Sequence, residues 1–129
     1  ILTLSPPINL NPKWFKQHTA YTISKYAMSM VTLGLAAELA EFGIAANSLW
    51  PRTTIATAAV ETLFAEAVKT SRTADIMADA AYAILTKPSH SCTGNFFIDE
   101  AVLRAEGVTD FGRYAVTPGG PLMTDLFLD

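Results

Sequence analysis

Residues 19–51 read TAYTISKYAMSMVTLGLAAELAEFGIAANSLWP, and the reading of this stretch decides the fold. From Thr19 or Tyr21 to Phe42 there is no proline, and good helix formers dominate. Gly43 stands where a helix C-terminus needs a left-handed residue. Ile44 to Trp50 then reads as a buried strand, closed by Pro51, which cannot extend a ladder. The middle of the helix is apolar nearly all round, at Ala27, Met28, Met30, Val31, Leu33, Leu35 and Ala36. Such a helix is expected to be buried on more than one side. A sheet is one cover, and a further helix of the same chain or of a second subunit is the other. Gly34 costs about 1 kcal/mol against Ala in a helix interior, and a close helix–helix approach would account for it.

Upstream of this stretch, Ile1 to Ser5 is a second β-branched and apolar run, stopped by Pro6 and Pro7. A loop from Ile8 to Thr19 follows, carrying Trp14 and Phe15. Downstream, the apolar spacing predicts a helix over Ala58–Lys69. Thr73 can cap a third helix that buries Ile76, Ala80, Ala83 and Ile84 and ends at Lys87-Pro88. Thr93 to Asp99 reads as a third strand. The last thirty residues read as mostly irregular, with Pro118-Gly119-Gly120-Pro121 as a marked turn. Strands separated by helices imply parallel pairing with right-handed crossovers. The expected fold is therefore α/β, part of a doubly wound parallel sheet with about three strands and three helices. Residues 1–106 would form that layered part and residues 107–129 an irregular tail. The chain opens on Ile inside a strand-like run, with no basic and apolar leader before it, and reads as a fragment of a longer protein without a signal peptide.

The composition narrows the function. The 129 residues are 50% hydrophobic and 16% charged, with a net charge of −3. That is too apolar for a disordered tail and lacks the basic footprint of a nucleic-acid binder. No apolar run reaches the ~18 residues that span a bilayer. The single Cys92 excludes a disulfide framework and fits a reducing compartment, with the cytoplasm first and the peroxisome or mitochondrion as eukaryotic alternatives. His18 and His90 lack acids at ligand spacing, so no metal site is expected. Cys92 reads as a small buried residue, and Asp75, Asp79, Glu38 and Glu41 as solvated helix faces.

Tyr21 and Lys25 carry the chemistry. At i and i+4 they lie on one helix face, one turn apart. A free tyrosine titrates near ~10 and is a poor base at neutral pH, but a nearby ammonium favours the phenolate. The pair is thus a tunable proton donor and acceptor, as carbonyl reduction requires, because a hydride arriving at carbon leaves an alkoxide to be protonated. Ser5, the start of the Tyr21 helix and the Pro51 loop all fall beyond the carboxyl ends of strands, where doubly wound sheets bind ligands.

The ordered set of a strand ending in Ser, Tyr-x-x-x-Lys on a long helix, and a strand ending in Asn-x-x-x-Pro resembles the second half of the short-chain dehydrogenase/reductase family. The stretches SPPINLNPKWFKQHTAYTISKY, NSLWPRTTIATAA, ADIMADAAYAILTKP, TGNFFIDE and PLMTDLFLD resemble the hydroxysteroid dehydrogenase-like group within it. The resemblance implies a Rossmann-type fold. It implies Tyr21 as catalytic acid or base, and Lys25 as the residue that tunes Tyr21 and bonds the nicotinamide ribose. Ser5 would orient substrate, and Ile55 and Thr57 would lie against the nicotinamide. Three departures stand out. The gap from Ser5 to Tyr21 is longer than the family's. Pro6 occupies the second, usually catalytic, place of a Ser-Ser pair. Arg52 replaces the usual Gly after Pro51, with the loop to Thr57 one residue longer. The glycine fingerprint of the family's first half is absent, and the seven glycines are scattered.

The leading expectation is an NAD- or NADP-dependent oxidoreductase. It would transfer a hydride between the cofactor and a secondary alcohol or carbonyl on a hydrophobic, lipid- or steroid-like substrate, and self-associate through the helix from Tyr21 to Phe42. One alternative is a catalytically silent chain that keeps the fold as a structural or partner-binding module. Another is an epimerase or dehydratase relative that uses the same tyrosine.

Overall fold

The computed structural model describes residues 1–128. In chain order the elements are β1 (Leu2–Thr3), α1 (Thr19–Glu38), β2 (Asn47–Trp50), α2 (Ala58–Leu63), α3 (Asp75–Leu85), β3 (Phe96–Ile98) and α4 (Asp99–Ala105). Short 3₁₀ turns sit at Pro12–Trp14, Ala40–Phe42, Ala65–Thr70 and Gly112–Tyr114. The strands form one sheet ordered β1–β2–β3, with Leu2 opposite Asn47 and Thr3 opposite Ser48 in parallel. The crossover through α1 dictates that direction, because a helix returns the chain to the end of the sheet from which it left. The α/β architecture expected from the alternation of strands and helices is observed.

The described residues divide into two compact units. One comprises Ile1–Trp50, Ile84–Phe97 and the chain from Leu126; the other comprises Pro51–Ala83 and Ile98–Asp125. In the first, β2 is buried along its whole length, as the middle strand of a parallel sheet must be. Asn47 ties it to the turn before β3. Its Nδ2 donates to the Cys92 carbonyl at 2.7 Å, and its Oδ1 accepts from the Asn95 amide at 3.0 Å and from Asn95 Nδ2 at 2.9 Å.

The inner face of α1 is polar. The Thr22 hydroxyl donates to the Trp14 carbonyl, Tyr26 Oη to the Asn9 carbonyl at 2.6 Å, and Ser29 Oγ to the Pro6 carbonyl at 2.6 Å. These bonds lash the helix to the loop that follows β1. Of the two covers expected for the apolar middle of this helix, the sheet is present and a further helix of the same chain is not, among the described residues. Thr22, Tyr26, Ser29, Thr32 and Ala36 are buried, whereas Met28, Met30, Val31 and Leu33 are exposed. The three short strands cover one face of the helix only. Nothing lies within 4 Å of a Cβ placed on Gly34, so the close approach expected there is not present among the described residues.

The other unit gathers around Arg72, whose backbone bridges Ile55 in parallel and Ala115 in antiparallel. Its guanidinium is buried and pairs with Glu100 Oε2 at 2.7 Å, and Arg104 pairs with the other oxygen of Glu100 at 2.7 Å. Asp79 is exposed on α3 as expected, and there it accepts from Tyr114 Oη at 2.6 Å and from Arg113 at 3.2 Å. Two further boundaries differ from the sequence reading. The helix expected over Ala58–Lys69 ends at Leu63, because Phe64 leaves helical geometry, and the chain continues as a 3₁₀ turn. The stretch read as irregular opens on α4, where the Asp99 side chain accepts from the Glu100 amide at 2.6 Å.

Gly43 ends the helical run with φ at +68°, and no atom lies within 4 Å of a Cβ built there. Gly43→Ala should therefore cost about 1 kcal/mol from backbone conformation alone, read as a lowered Tm of the protein with its secondary structure intact.

Candidate active site

Tyr21 and Lys25 sit in the first turns of α1. Tyr21 is 43% exposed. Lys25 Nζ lies 5.9 Å from the centre of the Tyr21 ring and 5.4 Å from that of Trp50. Among the described residues no carboxylate forms an ion pair with this ammonium. Its neighbours are aromatic faces, which attract a cation while leaving its N–H groups available.

Ser5 follows β1 and is fully buried. Among the described residues nothing hydrogen-bonds its Oγ. An orphaned buried hydroxyl costs free energy unless something satisfies it. Pro6, in the place of a second serine, offers only its carbonyl, which Ser29 occupies.

Tyr26, the residue after Lys25 and on the buried side of α1, is a phenol of the opposite kind. It is 4% exposed, and its Oη both accepts from the Asn9 amide and donates to the Asn9 carbonyl. Burial pushes its pKa above the ordinary tyrosine range, with the Asn9 backbone opposing the shift. Of the two tyrosines on α1, Tyr21 is the accessible one and Tyr26 is a structural hydrogen-bonding group.

Ile55 and Thr57 belong to the other unit. Ile55 is buried, and the Thr57 side chain caps α2 by accepting from the Val60 amide at 3.4 Å. Their loop is zipped to the Ser71–Arg72 segment. Ala56 donates to the Arg72 carbonyl and Arg72 to the Thr54 carbonyl, both at 2.9 Å, and the Thr54 and Ser71 hydroxyls meet at 2.8 Å. The start of the loop is fixed by Asp99, whose Oδ1 accepts from the Arg52 amide at 2.8 Å. Burial pushes the Asp99 carboxyl above the usual range, against the amides of Arg52 and Glu100 and the charge of Arg72, which hold it down. Asp99 was legible only as the end of a strand. Its link to Arg52, 47 residues away, leaves no local signal.

The structure also brings together aromatic residues that the sequence leaves scattered. Trp14 comes from the long loop after β1, Trp50 from the end of β2, and Phe127 from the C-terminal stretch. Phe127 packs with Tyr21, Tyr26, Trp14 and Trp50. Phe15, from the same loop as Trp14, meets Tyr26 edge-on at 5.9 Å.

No family model matches the chain. It is 59% identical over its whole length to the bovine hydroxysteroid dehydrogenase-like protein 2, covering 31% of that protein. It is 58% identical to the rat protein of that name, covering 24% of it, and 55% identical to the human one, covering 31%. A solved short-chain dehydrogenase of Mycobacterium thermoresistibile superposes with a TM-score of 0.90 at 52% identity, over all of this chain and 46% of its own. The chain belongs to the short-chain dehydrogenase family. A candidate dehydrogenase of Xanthomonas campestris superposes with a TM-score of 0.93 at 51% identity, over all of this chain and 47% of its own. The chain thus spans about a third or less of the curated relatives and about half of the solved short-chain dehydrogenases. Among the described residues of this short-chain dehydrogenase chain, no helix is long and apolar enough to cross a membrane, and no group of three His, Cys, Asp or Glu could hold a metal ion.

The contrast between the two α1 tyrosines gives a test. Tyr26→Phe removes a buried phenol and leaves both Asn9 backbone groups without it. It should lower stability by about 1 kcal/mol and leave any turnover of the full-length protein unchanged. Denaturant unfolding and steady-state rates measured side by side check it.

Proposed function

We propose that this chain is the catalytic-side part of a nicotinamide-dependent oxidoreductase that interconverts a secondary alcohol and a carbonyl on a hydrophobic substrate. The observation that carries the reading is the Tyr21–Lys25 pair: a partly exposed tyrosine one helical turn from an ammonium that, among the described residues, has no carboxylate ion pair, both seated against aromatic rings. The donor chemistry fits the nicotinamide ribose, whose hydroxyls suit the free N–H groups of Lys25. The orphaned Ser5 hydroxyl fits a polar oxygen of the substrate. The pyrophosphate end has no counterpart here, because the chain carries no glycine-rich turn before a helix N-terminus.

When bound, the nicotinamide, as NAD or NADP, supplies or accepts the hydride. Tyr21 gives its Oη proton to the oxygen of the carbonyl in reduction and takes it back in oxidation. Lys25 stabilises the phenolate left behind and holds the ribose, and Ser5 orients the reacting oxygen. The family resemblance would assign Ile55 and Thr57 to the nicotinamide, on a loop whose first amide is fixed by Asp99. Trp14 and Phe15 supply apolar surface for the substrate. The buried, free Cys92 suits a reducing compartment such as the cytoplasm.

The same reading assigns the uncovered face of α1 to self-association. Ile23, Met30 and Val31 are each more than half exposed and share the side of the helix away from the sheet, together with Gly34. Val31→Glu in the full-length protein should convert the oligomer to monomers in analytical ultracentrifugation. A wild-type protein that is monomeric at micromolar concentration contradicts the assignment.

The catalytic assignment is tested in the full-length protein by removing one group at a time. Tyr21→Phe should leave cofactor affinity nearly unchanged and lower turnover by 10²–10⁴, on the order that general acid–base catalysis contributes. Lys25→Met should weaken both, and should shift the oxidation limb of the pH–rate profile to higher pH, because the cation that favours the phenolate is gone. Near-normal turnover of Tyr21→Phe would place the proton donor elsewhere.

A further inference from the structure

The Phe127 ring is 2% exposed and lies among four aromatic rings of its own unit. Ring centres are 5.2 Å away at Tyr26, 5.8 Å at Trp14, 5.8 Å at Trp50 and 6.1 Å at Tyr21. Three of these contacts are tilted. The one with Tyr21 is stacked with the ring centres offset, the planes 16° apart. The backbone at Phe127 has φ at +70°, a region that a bulky residue seldom enters. Such a conformation persists only where its surroundings over-determine it. Here the four rings do so, with Trp50 Nε1 donating to the Leu126 carbonyl at 2.9 Å.

The position of this ring matters because Tyr21 lies in the first turn of α1 and is nearly half exposed. An aromatic side chain on a helix has more than one staggered orientation. A flat contact over one face of the ring selects among them. Trp50, tied to the same segment through Leu126, lies 5.4 Å from Lys25 Nζ and limits where the ammonium can sit. One residue near the C-terminus thereby touches the ring of the proton donor directly, and reaches the lysine through Trp50.

We propose that Phe127 is a positioning residue for the Tyr21–Lys25 pair, so that Leu126 and Phe127 are part of the catalytic site. This rests on the reading of Tyr21 as the proton donor. Phe127 acts through the orientation of Tyr21 and does not itself meet the reacting atoms. Its loss should therefore slow the chemical step and spare cofactor binding. A misplacement of about 1 Å in a catalytic group can cost on the order of 10²-fold in rate.

The experiment uses the full-length protein with reduced nicotinamide cofactor and cyclohexanone as probe ketone. It compares wild type, Phe127→Ala, Phe127→Leu, Tyr21→Phe and Ile76→Ala. Phe127→Leu keeps apolar burial without a ring face and guards against loss of the fold. Ile76→Ala hollows the core in α3, away from Tyr21 in sequence and in unit, and controls for general loosening. The expected result is a drop in single-turnover rate on the order of 10² for Phe127→Ala, a smaller drop for Phe127→Leu, unchanged cofactor affinity in both, and an unchanged rate in Ile76→Ala. Ring-labelled tyrosine NMR adds a readout that needs no turnover. The Tyr21 resonance, identified by its absence in Tyr21→Phe, should move in Phe127→Leu as the stacked ring is removed.

A full rate in Phe127→Ala together with a lost rate in Tyr21→Phe overturns the positioning role and leaves the catalytic reading standing. An unmoved Tyr21 resonance in Phe127→Leu, or an equal loss of rate in Ile76→Ala, also overturns the positioning role. A full rate in Tyr21→Phe overturns the catalytic reading itself, and the positioning role falls with it.

Discussion

Hydroxyl groups, not hydrocarbon, fasten the inner face of α1 to the loop that follows β1. Thr22, Tyr26 and Ser29 each donate to a carbonyl between Pro6 and Trp14. Hydrogen bonds are directional where apolar packing is not, so these contacts set the rotation of the helix as well as its distance. That rotation puts Tyr26 inside and Tyr21 outside. The same bonds hold the longer loop in a path that delivers Trp14 and Phe15 to the aromatic residues around Tyr21.

The fold was legible because its signals are local. Gly43 and Pro51 punctuate a long helix and a buried strand, and the order strand, helix, strand leaves only a parallel pairing. The Tyr21–Lys25 spacing was legible for the same reason, since one turn of a helix fixes which side chains are neighbours. The fully buried Ser5 was found as the residue closing a strand.

What the sequence concealed depends on contacts between distant residues or on surfaces that are missing. Met30 and Val31 read as core because they are apolar, but the sheet covers only the hydroxyl-bearing side of α1 among the described residues. Leu63 and Phe64 have helical spacing with no apolar cover, and the helix stops between them. Asp79 reads as an exposed acid on a helix and is one, but its bond from Tyr114, 35 residues away, leaves no local signal. Asp99 and Phe127 carry no periodic or turn signal. Asp99 serves by accepting an amide that begins another loop, and Phe127 by filling a space bounded by rings from four other places in the chain.

The central claim is that the Tyr21 phenol moves a proton in the same step in which hydride reaches carbon. The most direct measurement is the rate of oxidation of reduced nicotinamide by a hydrophobic ketone on the full-length protein, in single turnover, in H₂O and in D₂O. The account predicts a slower step in D₂O, and a slower step again when the transferred hydrogen of the nicotinamide is replaced by deuterium. A step that slows with the labelled nicotinamide but runs at the same rate in H₂O and D₂O would contradict it.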